Sequence, residues 1–136
     1  MMRAFVGSVF LLFAISSSGR AQPSAPPTTF VIVHGAWGGS WDWRQVDSLL
    51  TMQGHRVIRT DLTGLGKRSH LISASIGLDT HIADVVNEIL WERLTDVVLV
   101  GHSYGGMIIT GVADSIGVRL RELVTSMPSC RSPERA

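Results

Sequence analysis

The chain has 136 residues, enough for one modest domain. Twelve basic and eleven acidic side chains leave it near neutral, without the basic block that nucleic-acid binding calls for. A single cysteine, Cys130, rules out an internal disulfide and a thiolate metal cluster, and no metal or organic cofactor is expected.

In chain order, the first feature is a leader. Arg3 is the only charge before a largely apolar run at 4–15, and small polar residues follow. That order matches a secretory signal peptide over 1–21, with cleavage expected after Ala21. The run is short for a bilayer span, so an uncleaved anchor is the competing reading. A periplasmic or secreted protein, with no stable membrane association after cleavage, is the expectation. Residues 22–29 hold three prolines and read as a flexible linker.

"FVIV" at 30–33 is a continuous apolar run ending at His34-Gly35, which predicts a buried strand. Runs at 55–60 and 96–100 read the same way, and 120–124 is a weaker fourth strand. Val46, Leu49 and Leu50 fall at i, i+3, i+4 and predict a helix. Ile82, Val85, Val86, Ile89 and Leu90 form a full apolar helical stripe, with Asp79 or Thr80 as its expected N-cap. A third helix is expected over 107–113. Strands alternating with helices predict an α/β fold, a parallel sheet of about four strands with helices on both faces.

The third strand runs into Gly101-His102-Ser103-Tyr104-Gly105, a G-x-S-x-G pattern. Between a strand and a helix, this pattern lifts a serine hydroxyl out of the sheet on a sharp turn. Gly101 and Gly105 are required where strand and helix backbones approach too closely for side chains. A dinucleotide fingerprint would need glycine at Ser103, and a phosphate-binding loop would need Ser or Thr where "GLGKRS" has Arg68. Ser103 as a plain helix N-cap is the remaining alternative.

A serine that attacks a carbonyl needs N–H donors aimed at the developing oxyanion. One is expected from Tyr104, and the other from the loop opened by His34-Gly35-Ala36, with Ala36 as the donor, possible help from Trp37, and His34 and Gly35 as support. Gly35 as a simple turn residue is the alternative.

"FVIVHGAWGGSWDW", "DLTGLGKRSH" and "VGHSYGG" in this order resemble the α/β-hydrolase superfamily, and specifically its small esterase branch. That branch holds plant methyl-ester esterases, hydroxynitrile lyases and bacterial relatives. The resemblance implies a hydrolase domain over 30–124. The lyases carry threonine where this chain has Gly35, which favours an esterase. The resemblance also implies a structural rather than catalytic Asp61. Trp37, Trp41 and Trp43 would line an acyl pocket or anchor the first helix, and Ser69-His70 gets no role.

In this family the order along the chain is serine, then Asp or Glu, then histidine. All five histidines here (34, 55, 70, 81, 102) lie before or beside Ser103. His70 is the one non-standard base to consider. The resemblance therefore implies the N-terminal half of a hydrolase domain, with an uncovered apolar face, marginal stability and little activity alone.

After Val124 the family continues with a pattern like Tyr-Leu-Asp-Ala-Phe-Val-Pro. The segment 125–136 reads "TSMPSCRSPERA" and fits no strand, helix or linker pattern. Back-translated with GC-rich codons and prefixed by one base, it regenerates the family pattern. The expectation is a tail in a shifted reading frame. The function expected by lineage is hydrolysis of a small-molecule carboxylic ester by Ser103. A non-catalytic ligand-binding fragment and a hydroxynitrile-lyase-like enzyme are the alternatives.

Overall fold

A computed structural model describes residues 26–126. The leader 1–21, part of the linker and the tail 127–136 lie outside the described residues. Four strands form the sheet: β1 (Thr29–Val33), β2 (Arg56–Arg59), β3 (Val97–His102) and β4 (Leu120–Ser126). Three helices connect them: α1 (Arg44–Met52), α2 (Leu78–Trp91) and α3 (Tyr104–Ile116). Short 3-10 turns at Ser40–Trp43, Gly66–Leu71 and Gly117–Arg119 complete the pattern. No helix among the described residues is long and apolar enough to cross a membrane.

All strand pairs are parallel, in the order β2-β1-β3-β4. The chain goes one way from β1 to β2, then crosses back to place β3 on the other side of β1. Strand order therefore reverses between β1 and β3, and loops leaving their carboxyl ends diverge around a crevice. Val33 of β1 pairs with Gly101 of β3 at that end. The loop after β1 and the turn after β3 are thus brought together by topology.

Right-handed crossovers put α1 on one face and α2 with α3 on the other. The two faces are unequally filled. Val31, Val33, Val97 and Leu99 point toward Val85 and Ile89 of α2 and Ile108, Ile109 and Val112 of α3, all essentially inaccessible to water. On the opposite face Ile32 and Val98 are buried. The stripe of α1 is not: Leu49 is 59% exposed and Val46 is exposed as well. The periodicity of α1 finds the helix, but the described elements cover its apolar side only in part, with Leu50 half-buried.

Several boundaries differ from expectation by more than a residue or in the identity of the cap. The α2 cap is Gly77, because Thr80 sits inside the first turn and its Oγ1 accepts the Gly77 N–H at 3.4 Å. Asp79 also lies in that first turn, where its charge suits the positive end of the helix dipole. Strand β4 runs through Thr125 and Ser126, two residues past Val124, because both pair with the end of β3. Helix α3 starts three residues earlier than expected, immediately after Ser103.

Candidate active site

Ser103 stands at the junction of β3 and α3, with φ 53° and ψ −119°. A non-glycine residue with positive φ at such a ψ is strained, and the surrounding structure has to hold it. Three contacts do so. The Ser103 N–H donates to Ser126 O at 3.0 Å, its carbonyl accepts from Gly106 N–H at 2.8 Å, and β3 and α3 fix its two flanks. It occupies the N-cap position of α3, yet its hydroxyl makes no capping hydrogen bond. Ser103 is exposed to solvent.

The flanking glycines are there for space. A Cβ on Gly101 would lie 2.5 Å from Gly105 O, inside van der Waals contact. A Cβ on Gly105 would lie 2.5 Å from Val33 O and 2.9 Å from His34 O. The close approach therefore joins α3 to both β3 and β1, and it ties the turn at Ser103 to the start of the loop after β1.

That loop turns back over Ser103. Gly38 N–H donates to Gly35 O at 3.3 Å, which closes a turn around Ala36 and Trp37. The Cβ direction of Gly35 points at the Ser103 Cβ, 3.5 Å from where its own would be. His34 is fully buried, and its Nδ1 donates to the carbonyl of Gly35 at 2.8 Å, which buttresses the loop from below. Among the described residues, neither the Ala36 N–H nor the Tyr104 N–H has an acceptor. Ser103 lines two hollows. One of about 260 Å³ is shared with Ala36 and Trp37, and one of about 580 Å³ is shared with Tyr104, Met107, Thr110 and Thr125.

The three tryptophans separate. Trp37 stands fully in solvent on the rim of the smaller hollow. Trp43 lies edge-on to His102, with ring centroids 6.1 Å apart. Trp41 packs close over Gly39, beneath the loop. Asp61 is paired with Lys67 at 3.0 Å, and its carbonyl accepts from Arg68 at 3.1 Å, a loop-holding arrangement. Ser69 and His70 sit in an exposed 3-10 turn and line neither hollow beside Ser103.

No histidine among the described residues hydrogen-bonds the Ser103 hydroxyl. His55 Nδ1 accepts from Thr28 N–H at 3.2 Å, at the far end of the sheet. His81 is buried and bound at both nitrogens. Its Nε2 donates to Thr63 O at 2.8 Å, and its Nδ1 faces the Tyr104 hydroxyl at 2.8 Å. Thr63 in turn gives both its N–H (2.7 Å) and its hydroxyl (2.9 Å) to the Asp84 carboxylate. Periodicity alone missed this network. The available signal was a polar residue, His81, one turn before Val85 on the apolar stripe of α2.

A family model described as the alpha/beta hydrolase family matches residues 30–133. A carbendazim hydrolyzing esterase of Nocardioides sp. (strain SG-4G) is 54% identical over 95 residues, covering 70% of this chain and 39% of that relative. An alpha-hydroxynitrile lyase of Arabidopsis thaliana is 34% identical over 97 residues, covering 70% of this chain and 37% of that relative. Among solved structures, an extracellular alpha/beta-hydrolase from a Paenibacillus species superposes with a TM-score of 0.68 at 30% identity. The superposition covers 73% of this chain and 40% of that one. The chain belongs to the alpha/beta hydrolase family, and it spans about two fifths of the length of these relatives.

Proposed function

We propose that this member of the alpha/beta hydrolase family carries the nucleophile and oxyanion loop of a small-molecule carboxylic-ester hydrolase. Ser103 Oγ adds to the ester carbonyl, and the tetrahedral oxyanion is held by the N–H groups of Ala36 and Tyr104. The supporting observation is the convergence of a strained, uncapped Ser103 with two N–H donors that lack acceptors, around hollows open to solvent. The esterase relative favours ester hydrolysis over the lyase reaction, because it is the more similar of the two. His34, Gly35, Gly101 and Gly105 support the site through the packing described above.

The proton of Ser103 Oγ needs an acceptor, and among the described residues no histidine is hydrogen-bonded to that oxygen. In this family the orienting acid and the histidine follow the serine along the chain, and this chain spans about two fifths of the length of its relatives. The leader at 1–21 supports export from the cytoplasm. Incubation with p-nitrophenyl acetate followed by peptide mass mapping tests the reading. Acetyl on Ser103 supports it, and acetylation confined to lysines contradicts it.

A further inference from the structure

Trp37 is a large apolar side chain with its whole surface in water, 101% exposed, beside the proposed oxyanion donor Ala36. Both line the hollow of about 260 Å³ that reaches Ser103. Burial of such a ring is favourable, and its π face accepts planar groups by stacking and cations electrostatically. Asp42 is the one carboxylate on the same hollow, and no lysine or arginine lines it. Asp42 Oδ2 accepts the Gly39 N–H at 3.1 Å, which fixes the carboxylate to the loop. Among the described residues it forms no ion pair, and His102 is the other titratable side chain on the hollow.

We infer that Trp37 and Asp42 form a subsite for a planar aromatic group of the substrate that is neutral or cationic, and that this subsite turns away rings bearing a carboxylate. Stacking on Trp37 sets the preference for a flat ring. The Asp42 carboxylate sets its sign, favouring a cation or N–H donor and repelling an anion. The inference deepens the ester-hydrolase reading by naming a substrate class, but the binding itself does not require Ser103 to react.

Benzamidine, benzamide and benzoate share one shape and carry charges of plus one, zero and minus one, which makes them suitable probes. Titrating each into the full chain, with amide shifts of the 35–38 loop as readout, is expected to rank benzamidine tightest and benzoate weakest. Steps of roughly two- to fivefold are expected. Trp37→Ala, a change at a fully exposed side chain, is expected to weaken benzamide and benzamidine together. Asp42→Asn keeps an acceptor for Gly39 and is expected to erase the advantage of benzamidine over benzamide. Benzoate binding as tightly as benzamidine, unchanged affinities in Trp37→Ala, or no shift from any of the three overturns the inference. Failure of Ser103 to acylate would overturn the esterase reading while leaving this ranking intact, so the two fail separately.

Discussion

His81 Nδ1 lies 2.8 Å from the Tyr104 hydroxyl, and through that bond α2 holds the first residue of α3. Because His81 Nε2 donates to the Thr63 carbonyl, Nδ1 of the neutral ring accepts from the phenol. The residue so held is the one whose N–H is proposed to meet the oxyanion. Its anchor runs on through Thr63 to Asp84, so the loop after β2 also bears on the turn at Ser103.

Replacing His81 by Ala leaves the half-buried Thr63 carbonyl and Tyr104 hydroxyl without their partner. The expected loss is about 2 kcal/mol of stability, read by urea unfolding. A loss below the error of that measurement would show that the bond is not holding α3.

Tyr104 is the only tyrosine, so phenol ionisation in the chain reports this residue alone. Burial raises its pKa above the ordinary phenol value near 10. The unfolded chain therefore loses that proton first, and stability falls as pH rises above about 10 toward the folded value. Ultraviolet titration of the native chain should place the midpoint higher than in denaturant. Coincident midpoints would mean that the ring is hydrated.

Gly101→Ala and Gly105→Ala put a Cβ 2.5 Å from backbone oxygens that cannot swing aside. Each is expected to cost about 3 kcal/mol or more, a large share of a small domain's stability. Gly35→Ala meets nothing nearer than the His102 ring at 3.2 Å and should be far milder. Thermal melts of the three variants rank them, and a Gly105→Ala melt matching that of Gly35→Ala would refute the steric explanation.

Ser103→Gly removes the strain of φ 53° and is expected to stabilise the chain by about 1–2 kcal/mol while deleting the hydroxyl. Ser103→Ala deletes the hydroxyl and keeps the strain, so its melt should stay near that of the native chain. Equal melts for the two variants would mean that the turn at Ser103 stores no strain.

The order of strands and helices is legible in the sequence because each strand is a short continuous apolar run closed by a turn. The turn at Ser103 is legible because Gly101 is fixed by backbone contacts with Gly105 and Gly106, close to it in the chain. The reach of Gly105 is not, since the carbonyls it meets belong to Val33 and His34, about seventy residues earlier. Nor is the anchor of Tyr104, which depends on side chains brought together from α2 and the loop after β2. The stripe of α1 reads as buried because periodicity marks a helix face without saying what lies against it. The end of β4 depends on pairing with β3 rather than on the character of Thr125 and Ser126, so local pattern stops short of it.

Mapping a fluorophosphonate adduct on the 136-residue chain by peptide mass spectrometry tests the role of Ser103 most directly. With no histidine among the described residues hydrogen-bonded to it, Ser103 has the proposed oxyanion donors and the strained turn, which in a serine hydrolase leave a residual fraction of full catalysis. The expected result is one adduct, on Ser103, formed over hours and lost in Ser103→Ala. Adducts spread over other hydroxyls, or undiminished in Ser103→Ala, would contradict the assignment of the nucleophile.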